Sequence, residues 1–284
     1  MITVKNLNYT YFSGREALKD INLQINKGEF VAIVGHNGSG KSTLARIIAG
    51  IDRPGCGTCM VDSINTKNRK KLLLLRKTVG IVFQNPENQL VFEKARDDIA
   101  FGLKNLGFEK NEIEKRIDEV VTMLKIENFT NSFELSMGQK QRLAIASVLA
   151  MKPECIIFDE PTAMLDPKGK KDIHRIIVDL HQRGMTIVYV TNVIDEVLAA
   201  DRIVILDQGS IRYEFLREEL FENIDKLKKL GLEMPVIMEI ISRLQSCGLH
   251  IDTDTCSIDD LVYNIVKKVS ADVLSKSTSG VNVA

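Results

Sequence analysis

The stretch Gly35-His36-Asn37-Gly38-Ser39-Gly40-Lys41-Ser42-Thr43 constrains this chain more than any other. It fits G-x-x-x-x-G-K-[ST] and lies between the apolar run Phe30-Val31-Ala32-Ile33-Val34 and the segment Leu44 to Ala49. The run reads as a buried parallel strand, and the segment as a helix stopped at Gly50. Strand, glycine loop and helix in that order raise the match above coincidence and admit few folds. Gly35, Gly38 and Gly40 let backbone N–H groups turn inward as an anion nest at a helix N-terminus. Lys41 is then placed to reach the outer phosphates of a nucleoside triphosphate, and the Ser42 hydroxyl to bind Mg²⁺. Taken alone, the same letters also describe a Gly/Ser-rich turn with a solvated lysine.

The flanking pattern predicts an α/β chain. Residues 2–11 and 17–25 alternate polar and apolar side chains as half-exposed antiparallel strands do, with turns at Gly14 and Lys27-Gly28. Tyr11 is either a strand aromatic of the core or a face for stacking a base. Strands are also predicted at 58–62, 79–83, 155–160, 186–191 and 202–207. The strand at 79–83 ends in the polar loop Gln84-Asn85-Pro86-Glu87-Asn88-Gln89, and Gln208-Gly209-Ser210 turns the chain after 207. Residues 95–149 read as helical, and 111–121 carry apolar residues at helical spacing between charged ones. That block interrupts the α/β alternation as a separate helical subdomain would. Leu72-Leu73-Leu74-Leu75, bracketed by Lys71 and Arg76, reads as a buried helix. From Glu214 the chain turns to charged helices at 217–230 and 235–245, and its small, polar last residues read as disordered.

Composition excludes some functions. With 284 residues the chain can bury a substantial core as one large domain or two. Lys plus Arg and Asp plus Glu both number 38, so the basic excess of a nucleic-acid binder is missing. Five cysteines, an odd count without a disulfide-like array, indicate a reducing compartment. Cys56 and Cys59 form a lone C-x-x-C with no second ligand pair, and their glycine-rich setting suits a tight turn between strands. No apolar run approaches the roughly 20 residues that span a bilayer, and the N-terminus has no signal-peptide architecture. The expectation is a soluble, cytoplasmic protein that meets membranes only through partners.

Two further motifs complete a constellation. The apolar strand ending in Asp159-Glu160 offers an aspartate to hold Mg²⁺ and a glutamate to polarise an attacking water. That ending is weak evidence alone and strong beside the phosphate loop. Leu135-Ser136-Met137-Gly138-Gln139 opens a helix, either as an anion-binding N-terminus or as an ordinary N-cap.

In order, the phosphate loop, glutamine loop, L-S-x-G-Q, acidic strand end and Leu165-Asp166 resemble the ATP-binding cassette (ABC) ATPases, from Ile2 to about Gly209. The resemblance implies a P-loop fold: a RecA-like sheet plus an antiparallel β subdomain, with a helical subdomain and a small C-terminal domain. It implies an ATPase domain over 1–213 with the helical subdomain at about 86–150, a C-terminal dimerisation domain over 214–270 and a tail over 271–284. Tyr11 matches the adenine-stacking aromatic, Gln84 the Mg²⁺-sensing glutamine that touches the transmembrane partner, and Glu160 the catalytic glutamate. Ser136, Met137, Gly138 and Gln139 match the signature that binds ATP held by the opposite subunit, and Asp166 the loop crossing the dimer interface. ATP and Mg²⁺ are the implied cofactors.

Residues 35–46, 83–89, 98–102, 163–167, 230–235 and 257–261 further resemble the ATPases of energy-coupling-factor (ECF) importers, which take up vitamins or transition-metal ions. The implied partners are a second ABC ATPase subunit, a transmembrane coupling subunit and a substrate-binding membrane subunit, at the cytoplasmic face of the membrane and without nucleic acid. Two positions depart from the family pattern. Asn192 stands where the switch histidine falls, and it can donate a hydrogen bond but carries no titrating proton. Met137 stands where the signature usually has glycine. Both favour an asymmetric, heterodimeric pair with one slow site. The alternatives are a weakly hydrolysing nucleotide-binding half, or the ATPase of another ABC importer.

Overall fold

The computed structural model describes residues 1–232, 236–247, 249 and 261–267. The chain divides into two compact units, one comprising Met1–Asn192 and Ala200–Glu214, the other Val193–Ala199 and the described residues from Phe215 on.

The first unit carries two sheets. The antiparallel one comprises β1 (Ile2–Thr10), β2 (Glu16–Ile25), β4 (Cys56–Val61) and β5 (Ile64–Asn65), in the order β2-β1-β4-β5. The other runs β10-β9-β3-β8-β7-β6, from β3 (Phe30–Val34), β6 (Val79–Val82), β7 (Cys155–Asp159), β8 (Thr186–Thr191), β9 (Arg202–Asp207) and β10 (Ser210–Leu216). β3, β8, β7 and β6 are mutually parallel, and β9 pairs parallel to β3. Every residue of β3, β7 and β8 is buried, as the unbroken apolar runs demand of strands covered on both faces. β9 and β10 are joined by Gln208-Gly209, both with positive φ (48° and 83°), the backbone of a tight hairpin turn.

Helix α1 (Lys41–Ile48) lies inside one apolar cluster with both sheets, through Leu44, Ile47 and Ile48 against Ile2, Leu7 and Ile25 and against Val31, Val188 and Leu206. The predicted helical block is three helices: α3 (Ala95–Asn105), α4 (Lys110–Leu124) and α5 (Met137–Leu149). They pack on one another, and α5 also reaches β6 and α6 (Pro167–Gln182).

Three expectations need correction. In α2 (Leu72–Thr78), only Leu75 and Thr78 are buried, whereas Leu73 and Leu74 are 57% and 51% exposed. Four consecutive leucines cover every side of a helix, so one-sided packing must leave some of them out. The C-x-x-C opens strand β4 rather than forming a turn. Gly57 there has φ 73°, and the pairing with β1 shifts register between Lys5 and Asn8, as at a bulge. Cys56 is exposed while Cys59 is buried, and burial pushes the Cys59 thiol up to about 12. The third correction concerns 217–230, where a 3₁₀ turn (Arg217–Glu219) precedes the short α7 (Ile224–Lys229).

In the second unit, α7 is followed by α8 (Val236–Ser246), which buries Ile237, Met238 and Ile241, and by a helix over 261–267 that buries Leu261. The stretch 257–260 and the tail lie outside the described residues. Among the described residues no helix is long and apolar enough to cross a membrane.

Candidate functional site

The phosphate loop leaves the C-terminal end of β3 and enters α1 at Gly40, whose φ is 108°. A Cβ on Gly40 would sit 2.5 Å from the Ala17 carbonyl oxygen, and one on Gly35 2.1 Å from that of Leu206. Glycine is therefore dictated at Gly40 by backbone angle and space, and at Gly35 by space. The loop is fastened from outside by the Gly209 N–H, which donates to the Ser39 carbonyl (2.9 Å), and from within by the Ser39 N–H on that of His36 (3.1 Å). Ser39 is buried, so Ser39 and His36 shape the loop while Asn37, Gly38 and Gly40 line the cavity.

That cavity holds about 340 Å³ and is also lined by Tyr11, Arg15, Ala17, Lys41, Ser42, Thr43, Gln84 and Glu160. Lys41 is 4% exposed, and its Nζ donates to the carbonyls of Gly35 (2.8 Å) and His36 (3.0 Å). Glu160 Oε1 lies 3.7 Å from the same ammonium. Burial pulls the Lys41 ammonium below the ordinary lysine value, opposed by the carboxylates of Glu160 and Asp159. Ser42 Oγ donates to Asp159 Oδ1 at 2.8 Å. Burial pushes the Asp159 carboxyl above the ordinary aspartate value; the Ser42 hydrogen bond works against that, and Glu160 adds to it.

Glu160 leaves β7 with φ 48°, a left-handed conformation costing a non-glycine residue about 1 kcal/mol. It is held there by its own N–H on the Val190 carbonyl (2.8 Å). The strained residue is the carboxylate aimed into the cavity. Asn192, just past β8, brings Nδ2 to 3.5 Å from Asn37 Oδ1, so the switch position touches the phosphate loop. Tyr11 follows β1, 37% exposed, with its hydroxyl 2.7 Å from Thr43 Oγ1 and its ring edge-on to Tyr9 at 5.0 Å. It is no core aromatic: its free face borders the cavity.

The signature residues stand apart from this cavity. Ser136 caps α5 in a capping box: its N–H donates to Gln139 Oε1 (2.9 Å), and the Gln139 N–H to Ser136 Oγ (3.4 Å). Asp166 caps α6 by accepting from the Gly169 N–H (2.9 Å). With Met137, Gly138, Arg142, Met164 and Lys168 these residues line a second, open cavity of about 630 Å³. The glutamine loop ties back to α5: Lys140 pairs with Glu87, Gln141 Nε2 donates to the Phe83 carbonyl (3.2 Å), and Gln89 Nε2 lies 3.5 Å from that of Ala144. Sequence reading missed Arg15 at the first cavity and Lys168 at the second. Each is an ordinary exposed cation in its local context, and only the fold gives it an address.

A strand-anchored phosphate loop with a buried lysine and an acidic strand end beside it defines a P-loop nucleotide-binding cassette. The chain belongs to the ABC transporter family, whose pattern it matches over residues 18–163. It is 44% identical over 269 residues to the energy-coupling factor transporter ATP-binding protein EcfA1 of Clostridium novyi, covering 92% of this chain and 96% of that protein. Among solved structures it resembles cbiO1 from Clostridium perfringens, described as part of the ABC transporter complex cbiONQ. The identity is 38% and the TM-score 0.72, over 85% of this chain and 98% of that one. It also resembles the dimeric cassette MJ0796 in a post-hydrolysis state bound to ADP and Pi. There the identity is 35% and the TM-score 0.70, over 76% of this chain and 99% of that one.

Proposed function

We propose that this chain is the ATP-hydrolysing motor subunit of an ECF-type importer, powering uptake of a vitamin or a transition-metal ion. The observation that carries the reading is the convergence of Lys41, Ser42 and Glu160 on one cavity at the end of β3, with Asp159 beside it in contact with Ser42. Hydrolysis needs a water oxygen to attack the γ-phosphorus as the bond to the β–γ bridging oxygen breaks, leaving ADP and phosphate. Glu160 lines the cavity and takes the water's proton; Lys41 and the N–H groups opening α1 stabilise the charge on the phosphoryl oxygens. Tyr11 stacks the adenine.

The donor set fits Mg²⁺. Ser42 and Asp159 present hard oxygens in direct contact, and among the described residues no group of three or more acidic, His or Cys side chains competes for a metal. Mg²⁺ is usually held by one or two carboxylates plus waters and phosphate oxygens. Ser42, Asp159 and Gln84 would hold the ion, which would neutralise phosphate charge.

The signature cavity completes the machine with another chain. Ser136, Met137, Gly138, Gln139 and Asp166 would meet the ATP of a second ABC ATPase subunit. Ties between the glutamine loop and α5 would pass closure to a transmembrane coupling subunit and its substrate-binding partner, at the cytoplasmic membrane face. Residues 214–270 would help hold the pair together. A second reading, a weakly hydrolysing half of a heterodimer, is favoured by Asn192 at the phosphate loop and Met137 at the signature.

ATP hydrolysis by the membrane complex with its native partners, wild type against Glu160→Gln, decides between them. A loss of about 100-fold or more places the working base on this chain. An unchanged rate moves the chemistry to the other subunit and makes this chain a regulatory half.

A further inference from the structure

We infer that Arg15 is a polyphosphate-binding residue of the cassette, bridging the base-stacking ring and the phosphate loop. The inference rests on the reading of the 340 Å³ cavity as the ATP site. Arg15 sits on the turn that presents Tyr11: the Tyr11 N–H donates to the Arg15 carbonyl at 2.9 Å. Its side chain crosses to the other wall, where Nη2 donates to the Gly38 carbonyl at 3.0 Å. A Cβ added to Gly38 would lie 2.8 Å from that Nη2, so the guanidinium rests directly on the loop. A nucleotide with its base on Tyr11 and its outer phosphates at Lys41 must run past this group.

Charge points the same way. Of the residues lining the cavity, only Lys41 and Arg15 are cationic, facing Glu160 within it and Asp159 beside it. The nucleotide brings further negative charge, and Lys41 alone cannot match it. Arg15 has no carboxylate partner among the described residues, and the contact with Gly38 uses one of its five N–H donors. A planar fork with donors to spare suits phosphate oxygens. By bonding Gly38 it also holds the loop in shape at no expense to its charge.

The test is nucleotide binding by the full-length chain, with ATP and adenosine as probes, for wild type, Arg15→Ala, Arg15→Gln and Lys41→Ala. Arg15→Ala is expected to weaken ATP about tenfold and leave adenosine unchanged, the size of one charge-assisted contact. Arg15→Gln keeps a donor for Gly38 but no charge, and is expected to stay close to the alanine variant. Full recovery in Arg15→Gln would reduce the residue to a loop staple and overturn the inference. So would an unchanged ATP affinity in Arg15→Ala, or an equal loss for adenosine. Lys41→Ala separates the two readings: if it leaves ATP binding intact, the cavity is not the ATP site and the functional reading itself fails. If only Lys41→Ala weakens ATP, the site stands and Arg15 has no part in it.

Discussion

The two cavities of this cassette are built by opposite means. The first is made from the protein's interior: its loop springs from a wholly buried strand, its lysine is buried, and its glutamate is held in a left-handed conformation. The second is made from helix ends. Its residues are placed by their own caps, Ser136 on α5 and Asp166 on α6, and much of its lining faces solvent. Burial makes the first site rigid and electrostatically strong, and ties it to global stability. Local capping makes the second cheap to expose, as a surface meant to meet another molecule should be. Such a contrast fits a machine in which one chain supplies a complete grip on its nucleotide and only half of the chemistry.

The largest expected effect tests that division directly. Lys41→Ala should weaken ATP binding by the single chain about 100-fold, since a buried ammonium directed at phosphate is lost. Ser136→Arg should leave that affinity within about twofold, because an exposed cap outside the cavity is changed. In the assembled complex both variants should stop hydrolysis. Titration of each variant alone, followed by ATPase measurement in the complex, checks the pair. Weak binding by the lone Ser136→Arg chain would dissolve the distinction.

Two glycines sharpen the stability side. Gly35→Ala places a methyl 2.1 Å from the Leu206 carbonyl oxygen and should cost about 3 kcal/mol as β3 and β9 are forced apart. Gly138→Ala meets nothing closer than Gly169 Cα at 3.8 Å and should change stability by less than about 0.5 kcal/mol. Thermal melts of the two variants read the difference, and equal shifts would show that the two cavities share one packing regime.

Acid residues make the same contrast at smaller scale. Asp159 is held above the ordinary aspartate value by burial, so the folded chain keeps a proton that the unfolded chain has already released. Stability from this group therefore falls as pH rises from the unfolded value, about 3.9, through the folded one, and stays lower above it. Asp159→Asn should remove that slope and raise the melting temperature near neutral pH by about 2–4 °C, while lowering hydrolysis sharply. Asp166→Asn keeps an N-cap of equal quality and should melt with the wild type. Melts across pH 4–8 distinguish them.

What the sequence disclosed follows the same divide. The first site was legible because its chemistry is packed into short contiguous motifs, each riding on an apolar run whose period betrays a buried strand. The signature was legible as a cap, but nothing local says that Ser136 and Asp166 border one hollow, since their neighbourhood comes from the packing of α5 on α6. Arg15 and Asn37 gained their roles from contacts with residues far along the chain, Gly38 and Asn192, which no periodicity encodes. Leu73 and Leu74 misled because an unbroken leucine run carries no information about which face is outward. The break between Arg217 and Ile224 was hidden in a charged stretch without Gly or Pro to mark it.

The smallest expected effect concerns the two positions that depart from the family pattern, one at each cavity. Asn192→His at the first would put a titrating ring beside Asn37, where the amide now stands 3.5 Å away. Hydrolysis by the complex should rise a few-fold and acquire an inflection near the imidazole value of about 6.5, which the wild type lacks at this site. The imidazolium carries charge and donates from both ring nitrogens, so activity should be greater below that inflection and fall above it. Met137→Gly at the second cavity removes a thioether from its lining and should raise the rate by a similar factor without any new pH dependence. The two gains should add if the cavities act on different ATP molecules, because the rates of two independent sites sum within one assembly. A double variant whose gain is the product of the two single gains would instead place Asn192 and Met137 on the same rate-limiting step.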